Sequence, residues 1–323
     1  MTQISFTYKS ERYTIPNSWE ELSPDEFTYL CRLLTDFAAG ELSVMDVKLL
    51  FVCHTMGWKI EKIKGETAWQ NIYLLARQID FIFEMVYPDG ALDGIPDEIR
   101  RQCRKKTPAD IGGPYSRYLE KQRYQYRIDT CFARQLLPEI KIGRDRYTGY
   151  EIRTDFDRIT CNLSALQFID ARQLLQEIHS SIDKLPLLAA ILYYPGTYNA
   201  AGAHRLAEKF RQLAPEVLQA ISINFQAFCT FIFKHTPFSI LAAGKDEQLP
   251  SICTGMLESL YNLSQDGYGN IAEIEQMDCI TYLVIIRKKL IEAVNTMHDY
   301  KMEITEIADK TGLPLKIIKQ ILS

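Results

Sequence analysis

The sequence lacks the features that mark several specialised classes of protein. Its 16 glycines and 13 prolines are too few for a linker-rich chain of 323 residues, and 47% of its residues are hydrophobic, so disorder is excluded as its main character. Its longest apolar runs, residues 185–194 and 228–233, fall short of the roughly 20 residues that span a bilayer. We therefore expect a folded chain with no membrane partner.

An excess of positive charge is also missing, since 37 Lys and Arg face 41 Asp and Glu for a net charge of −4. Such a chain has no overall field that attracts nucleic acid.

The first residues have neither the cationic start nor the apolar core of a signal peptide, and no two cysteines form a CxxC pair. We therefore expect a cytoplasmic location and reduced, mostly buried thiols. The eight cysteines are Cys31, Cys53, Cys103, Cys131, Cys161, Cys229, Cys253 and Cys279.

Recognised catalytic and ligand-binding motifs are absent as well. The histidines occur in no HExxH or HxH pattern, there is no GxSxG motif, and the pair Gly112 and Gly113 lacks the Lys-Ser/Thr that completes a phosphate-binding loop. We expect a protein that is not an enzyme and that has no catalytic, cofactor-binding or metal-binding residues. The five histidines are His54, His179, His204, His235 and His298.

Residues 1–95 predict a β-hairpin followed by a helical domain. Apolar residues alternate with polar ones over residues 3–15, which is typical of a hairpin. Ser23 precedes Glu26 by three residues, which is the spacing of a capping box, and Ser43 with Asp46 marks a second helix start. A third helix is predicted over residues 66–86, before a loop rich in turn-forming residues that ends the domain.

Residues 96–160 differ in charge from the rest of the chain and predict a basic, partly extended arm rich in tyrosine. Residues 98–158 hold 15 Lys or Arg and 9 Asp or Glu, a local net charge of +6. Apolar residues at 140, 142, 147, 150 and 152 predict a second hairpin within this arm. The candidate partner-binding residues are Arg100, Arg101, Arg104, Lys105, Lys106, Tyr115, Tyr118, Arg123, Tyr124, Tyr126 and Arg127.

The residues of the arm leave three interpretations open. Tyrosine and arginine are enriched at the centres of protein interfaces, which favours contact with an acidic protein surface. Cations interleaved with aromatic rings are also typical of sites that follow a nucleic-acid backbone and stack on its bases. The third interpretation is a solvated face in which tyrosines pack beneath arginine stems. Because the remainder of the chain is acidic, binding of the arm within or between subunits is at least as natural as binding to DNA.

Residues 161–300 return to a helical pattern and predict a second helical domain. Ser164 is a candidate cap for a helix that follows it. The run at 185–194 is apolar on all sides and is therefore expected to be buried, whether it is helix or strand. Amphipathic helices are predicted at 201–213, 215–234, 250–263 and 277–297.

Residues 301–323 resemble a helix-turn-helix. Ala308 stands where two helices must approach closely, and Gly312 suits a turn residue with a positive φ. Residues 299–323 contain four cations and four anions, so this unit supplies little attraction for phosphate. We therefore prefer a hairpin used for packing or docking and keep DNA contact as the alternative. The candidate DNA-contacting residues are Lys316, Lys319 and Gln320.

Several segments resemble proteins from the tail-gene regions of Bacteroidetes phages and prophages. Residues 15–27, IPNSWEELSPDEF, are similar to the strand-then-helix opening of that group. Residues 163–171, LSALQFIDA, are similar to its second helix start, and residues 192–195, LYYP, to the end of its buried segment. Residues 266–271, DGYGNI, followed by TYL at 281–283, are similar to its late loop and helix.

The resemblance implies a tail-assembly or structural protein whose partners are other phage tail or particle proteins, with self-association as a further expectation. It implies a location in the host cytoplasm or in the virion. The helix-turn-helix-like ending is not a regular part of that pattern, so a DNA-associated protein remains the alternative. The fold expected from all these patterns is mainly α: a multi-helix globular body with a small N-terminal β-hairpin, a basic arm with a second hairpin, and a C-terminal helix-turn-helix-like unit.

Overall fold

The computed structural model describes residues 3–8, 10–156, 158–178, 182–242 and 257–323. The chain divides into two compact units, Met1–Thr130 and Cys131–Ser323. Both consist mostly of helices, and the strands form two-stranded antiparallel sheets. The expected mainly α fold with small hairpins is confirmed.

The first unit contains four strands and six helices in the part of the chain that the structure describes. Strand β1 pairs with β2, and β3 pairs with β4. The strands are β1 Ile4–Tyr8, β2 Glu11–Ile15, β3 Phe83–Val86 and β4 Gln125–Ile128. The helices are α1 Pro24–Ala38, α2 Val44–Thr55, α3 Glu66–Gln78, α4 Asp97–Gln102, α5 Pro108–Ile111 and α6 Gly113–Glu120, with 3₁₀ turns at Trp19–Glu21 and Ile60–Lys62.

The predicted starts of α1 and α2 are confirmed down to their hydrogen bonds. The hydroxyl of Ser23 accepts from the backbone N–H of Glu26, whose carboxylate accepts from the N–H of Ser23. Ser43 and Asp46 make the same reciprocal pair. Each box satisfies two backbone donors that a helix start otherwise leaves without partners. These short-range signals are therefore sufficient to place both helices.

The predicted helix over residues 66–86 is wrong in its second half. Helix α3 ends at Gln78, and residues Phe83–Val86 form strand β3 instead. Glu84 of β3 lies opposite Arg127 of β4 in the antiparallel register. The partner strand lies about 40 residues further along the chain, so no local periodicity records the pairing.

The predicted arm, residues 96–160, does not form a separate element. Its first part, as far as Thr130, belongs to the first unit, and the rest begins the second unit. Cys103 and Leu119 join a buried cluster with Met85, Tyr87 and other residues that precede the expected boundary at residue 95. Burial of these apolar side chains favours a folded segment despite its many basic residues. The boundary between the compact units falls after Thr130.

The second unit contains two β-hairpins and a set of helices. The predicted second hairpin is present as β5 and β6, and residues 152–161 form a further one, β7 and β8. The strands are β5 Glu139–Ile142, β6 Asp145–Thr148, β7 Ile152–Asp155 and β8 Arg158–Cys161. The helices are α7 Ala165–Ile178, α8 Leu185–Leu192, α9 Ala200–Phe210, α10 Pro215–His235, α11 Leu257–Gln265, α12 Ile271–Gln276, α13 Cys279–Asp299, α14 Ile304–Thr311 and α15 Leu315–Leu322, with 3₁₀ turns at Ile182–Lys184 and Pro237–Ala242.

The apolar helix α8 lies at the centre of this unit, packed against α7, α9 and α10. The predicted burial of residues 185–194 is confirmed for nearly the whole run. Of the helices that the structure describes, α10 is long and apolar enough to cross a membrane by length and composition. However, 56% of its most apolar 18-residue stretch is buried inside the protein, and buried core helices often have the same length and composition. The predicted helix at 250–263 lies partly outside the described residues, and α11 covers its described end.

Two of the quoted sequence motifs have structural roles in this unit. The hydroxyl of Ser164 accepts from the backbone N–H of Gln167 at the start of α7. The side-chain amide of Gln167 in turn donates to the carbonyl oxygen of Ile191 near the end of α8. The buried Tyr193 donates its hydroxyl proton to the carbonyl oxygen of Leu137. The motifs therefore connect α7 with α8, and the end of α8 with the segment before β5.

The C-terminal residues form two short helices joined by a tight turn, as predicted. Gly312 ends α14 in the left-handed conformation, with φ of 69°. Helices α14 and α15 pack on α13 through a cluster that includes Val294, Ile307, Leu313 and Ile318. The unit is therefore anchored to the body of the protein by apolar contacts.

Candidate functional site

A buried carboxylate with two arginines lies at the centre of the predicted partner-binding residues. Glu84 of β3 is only 3% exposed, and both of its oxygens are used. Arg127 donates from Nε at 2.8 Å and from Nη2 at 2.5 Å to Oε1. Arg104 donates from Nε at 3.2 Å and also from Nη2 to Oε2. We call these three residues the arginine clamp.

The electrostatics of the arginine clamp favour ionised Glu84. Burial by itself raises the pKa of this carboxyl, but the hydrogen bonds and charges of Arg104 and Arg127 outweigh it and leave the pKa below its ordinary value. The arginine side chains remain 58% and 60% exposed. The result is a fixed pair of guanidinium groups at the surface, with a net charge of +1 for the three residues.

Lys105 fastens the segment after α4 to the same sheet. Its ammonium group lies 2.8 Å from a carboxylate oxygen of Asp129 and 3.1 Å from the carbonyl oxygen of Asp80. The backbone N–H of Met85 also donates to the carbonyl oxygen of Arg104 at 2.8 Å. Cations that the sequence analysis assigned to a partly extended arm are thus held by β3 and by the residues around β4.

The predicted tyrosines pack beside these cations. Tyr124 lies at a tilt to Tyr87 and edge-on to Tyr126, with ring centres 5.4 and 5.6 Å away. Tyr115 packs against the buried cluster of the first unit, and the hydroxyl of Tyr118 donates to the carbonyl oxygen of Ala91. Burial, and then the neighbouring Tyr124, raises the pKa of Tyr126 to about 12. That phenol therefore stays protonated at neutral pH and adds no negative charge beside the cations.

The remaining predicted cations lie on the surface around these elements. Arg100 donates to the carbonyl oxygen of Ile95 at 3.3 Å. Arg101, Lys106 and Arg123 are exposed and make no ion pair with the part of the chain that the structure describes. The structure therefore divides the predicted site into cations that hold the fold and cations that face solvent.

Glu84 is the residue that the sequence analysis missed, because it lies inside the segment predicted as helix. A signal was present: it is the single charged residue in the run FIFEMV at residues 81–86. A carboxylate in so apolar a run is buried only at high cost unless it is paired. Trp19, considered above only within a motif, is buried, and its indole donates to the carbonyl oxygen of Asp129.

The candidate DNA-contacting residues lie on α15. Lys316, Lys319 and Gln320 are all exposed, while Ile318 between them is buried against α13 and α14. Gln320 also borders a small cleft together with Arg287 of α13. One face of α15 is thus available to solvent, and its opposite face is used for packing.

The hairpin of β7 and β8 carries an unusual surface residue. Phe156 at its tip is 98% exposed and has a φ of 49°, a backbone conformation that favours glycine or asparagine. The hairpin forms one side of a cleft of about 940 Å³, whose other side includes Phe231, His235 and Val284. A ring this exposed packs against almost none of the described residues, and its backbone conformation is unfavourable for phenylalanine.

Among the residues that the structure describes, no three His, Cys, Asp or Glu side chains are grouped so that they could hold a metal ion. His54 lies 2.9 Å from Asp25 and stacks on Tyr29 at 3.8 Å between ring centres. The predictions that concern His179 and Cys253 lie outside the described residues. Comparisons with protein-family models, with curated proteins and with solved structures found no match to this chain.

Proposed function

We propose that this protein is a non-enzymatic component of phage-tail or tail-like particle assembly that acts through protein–protein contacts. The segments that resemble phage tail-region proteins support the biological setting. The arginine clamp supports the mode of action, because it presents two exposed guanidinium groups in a fixed arrangement. The proposed partners are other tail or particle proteins, with self-association as a further possibility of the same kind.

The arginine clamp is the observation on which the proposal rests. A solvated arginine loses rotamer freedom when it meets a partner, and that loss opposes binding. Here Arg104 and Arg127 are already oriented by the buried carboxylate of Glu84, so less freedom remains to be lost. A fixed guanidinium matches a carboxylate in two-point geometry. An acidic patch on a partner protein is therefore the chemistry that this surface suits best.

Proteins are favoured over nucleic acid as partners of this surface. A nucleic-acid site draws most of its affinity from many cations that release counterions from the phosphates. In this segment Lys105 and both clamp arginines are engaged by acidic side chains of the first unit, and the whole chain has a net charge of −4. A short, two-point interaction with carboxylates needs no larger field.

The test is co-purification of the full-length protein with the tail-tube and tape-measure proteins of the same tail-gene cluster. The informative variant is Arg101→Glu/Lys106→Glu/Arg123→Glu, which reverses exposed cations that are close to Arg104 and Arg127 in the sequence without removing a described ion pair. Its control is Lys141→Glu/Lys234→Glu/Lys288→Glu, which makes the same change of charge at exposed lysines of the second unit. We expect the first variant to lose the tail protein and the control to retain it. The proposal is contradicted if the wild-type protein co-purifies with none of the tail proteins.

A second candidate function, DNA association, has the exposed face of α15 in its favour. Lys316, Lys319 and Gln320 project from the second helix of a helix-turn-helix-like unit, and such helices enter the major groove in many DNA-binding proteins. The full-length variant Lys316→Glu/Lys319→Glu tests it by fluorescence anisotropy with duplex DNA at several salt concentrations. Salt-dependent binding that this variant abolishes supports the candidate, and no binding at low salt removes it.

A further inference from the structure

A groove on the first unit is lined by side chains that include none of the arginine clamp residues. It has a volume of about 890 Å³ and runs between β1, the loop that follows α2, and helix α3. Phe6 and Tyr8 of β1 and Trp58 of the loop form an aromatic wall. The ring of Trp58 meets Phe6 and Tyr8 edge-on, with centres 6.4 and 6.2 Å apart. We call it the lysine-rimmed groove, for the cations described below.

Trp58 is held in this wall by the way α2 ends. Gly57 follows the helix with a φ of 64°, which non-glycine residues rarely adopt. The N–H of Trp58 donates to the carbonyl oxygen of Cys53 at 2.8 Å, and the N–H of Gly57 to that of His54 at 2.9 Å. These are the bonds of a Schellman motif, which reverses the chain at a helix end. The turn at the end of α2 therefore fixes Trp58 at the start of the loop that borders the groove.

The floor of the groove is aliphatic and part of its apolar surface is exposed. Ile63, Ile72 and Leu75 line it, and Leu74 on its edge is 54% exposed. Leu74 also borders a neighbouring cleft of about 530 Å³ that is lined by Trp69 and Tyr73 of α3. Large apolar side chains thus extend along the outer face of α3, and continuous exposed patches of this kind mark interaction sites.

The charges around the groove have one sign. Lys59, Lys62 and Lys64 line it, no acidic side chain does, and none of the three lysines makes an ion pair with the described part of the chain. The nearest acids in sequence are Glu61, which does not line the groove, and Glu66, which accepts a hydrogen bond from Gln70 at the neighbouring cleft. Three cations beside an apolar floor match a partner that supplies both anionic groups and apolar side chains.

We infer that the lysine-rimmed groove binds a segment of a partner protein in which large apolar side chains are flanked by aspartate or glutamate. The apolar side chains enter against Ile72, Leu75 and the aromatic wall, and the carboxylates meet the three lysines. A groove that receives an amphipathic segment in this way is a common mode of peptide recognition. This inference does not depend on the arginine clamp or on the proposed role in tail assembly.

A single-stranded nucleic acid is the other polymer that combines negative charge with stacking groups. It fits this groove less well, because the ring of Trp58 is already in edge-on contact with Phe6 and Tyr8 and the floor offers aliphatic side chains for the bases to contact. Base recognition on single strands relies on open aromatic faces. A protein segment with aliphatic side chains matches the floor directly.

The test measures binding of synthetic probes to the full-length protein by fluorescence anisotropy. The probe is an amphipathic peptide of Leu, Phe and Glu, and its comparison is the same peptide with Lys in place of Glu. The variant is Lys59→Glu/Lys62→Glu/Lys64→Glu, and the control is Lys141→Glu/Lys234→Glu/Lys288→Glu, which changes the net charge by the same amount at exposed lysines elsewhere. Circular dichroism confirms that each variant is folded.

We expect the acidic peptide to bind the wild type and the control equally, and the groove variant at least about tenfold more weakly. Leu74→Ser, which removes an exposed apolar contact, is expected to weaken the acidic peptide as well. Equal binding of the acidic and basic peptides, or an equal loss in the control, overturns the inference. So does tighter binding of single-stranded oligothymidylate than of the acidic peptide. The inference is also overturned if the wild type self-associates and the groove variant does not, because the occupant is then a second copy of this chain.

Discussion

The indole Nε1 of Trp19 donates a 2.7 Å hydrogen bond to the carbonyl oxygen of Asp129, a residue 110 positions later in the chain. The bond joins the segment before α1 to the residues that follow β4, so it connects the beginning of the first unit to its end. Trp19 also packs edge-on against Phe27 and Phe81. A tryptophan of the quoted opening motif therefore acts as a structural anchor.

We predict that Trp19→Phe lowers the free energy of unfolding by about 1 to 2 kcal/mol, because the Asp129 carbonyl loses a buried donor while most of the ring packing is kept. The measurement is chemical denaturation followed by circular dichroism. Trp69→Phe is the matched control, since Trp69 is partly exposed and no hydrogen bond to its indole is described. An equal effect of both substitutions contradicts the assigned role of Trp19.

Glu84→Gln is predicted to reduce stability by about 2 kcal/mol at pH 7, because two arginines then face a neutral group. The arginines hold the pKa of Glu84 below its ordinary value in the folded protein despite its burial. The stability from this charge is therefore present above the pKa of the unfolded chain, about 4.3, and is lost as the pH falls through the lower folded pKa. Denaturation curves measured from pH 7 to pH 3 should show that the difference in the free energy of unfolding between variant and wild type becomes smaller as the pH falls.

The matched control for that experiment is Glu151→Gln. Glu151 pairs with Arg153 at 2.8 Å, but both side chains are largely exposed. Such pairs contribute less than about 1 kcal/mol, so this substitution should have little effect at any pH. A pH-independent loss in Glu84→Gln shows that the loss comes from packing instead of charge.

Ile318→Ala should loosen the C-terminal helices without unfolding the rest of the second unit. Ile318 is fully buried between α13, α14 and α15, and truncating such a side chain costs about 2 to 4 kcal/mol. Hydrogen exchange is the measurement, and faster exchange is expected in α14 and α15. Leu315→Ala is the control because Leu315 is 45% exposed. Unchanged exchange in both helices is the outcome that contradicts the described packing.

The thiols are predicted to differ in their reactivity under native conditions. The seven described cysteines form no disulfide, and Cys131 is the one among them that is not buried. Burial raises the pKa of the Cys31 thiol well above its ordinary value and that of Cys229 to about 12, which disfavours the reactive thiolate. Mass spectrometry of alkylated peptides should show Cys131 labelled first among the seven. Early labelling of Cys31 or Cys229 contradicts this order.

Phe156→Asn is predicted to leave the stability unchanged or to raise it by up to about 1 kcal/mol. Asparagine tolerates the positive φ of this position better than phenylalanine, and an almost fully exposed ring contributes little packing. Thermal unfolding gives the measurement. Phe238→Asn, at a buried position, serves as the control and should cost about 3 kcal/mol or more. A comparable loss at Phe156 shows that its ring packs on the protein.

Most of the local structure could be predicted from the chain. Ser23 and Ser43 mark helix starts because a cap needs only a hydroxyl and an acid three residues apart. Helices α9, α10 and α13 follow from apolar periodicity, and the hairpin of β5 and β6 from alternation, with ends that agree within a few residues. The arrangement of the candidate site could not be predicted, since the strand that carries Glu84 pairs with one about 40 residues away.

The sequence by itself determined the mainly α class, the helix caps, the hairpins β1–β2 and β5–β6, and the turn at Gly312. Each of these depends on residues that are close together in the sequence. Tertiary structure alone decided that the basic segment is folded into both units, that Arg104 and Arg127 converge on Glu84, and that Trp19 is buried. Those outcomes depend on which distant apolar surfaces are buried together, and composition and spacing do not record that.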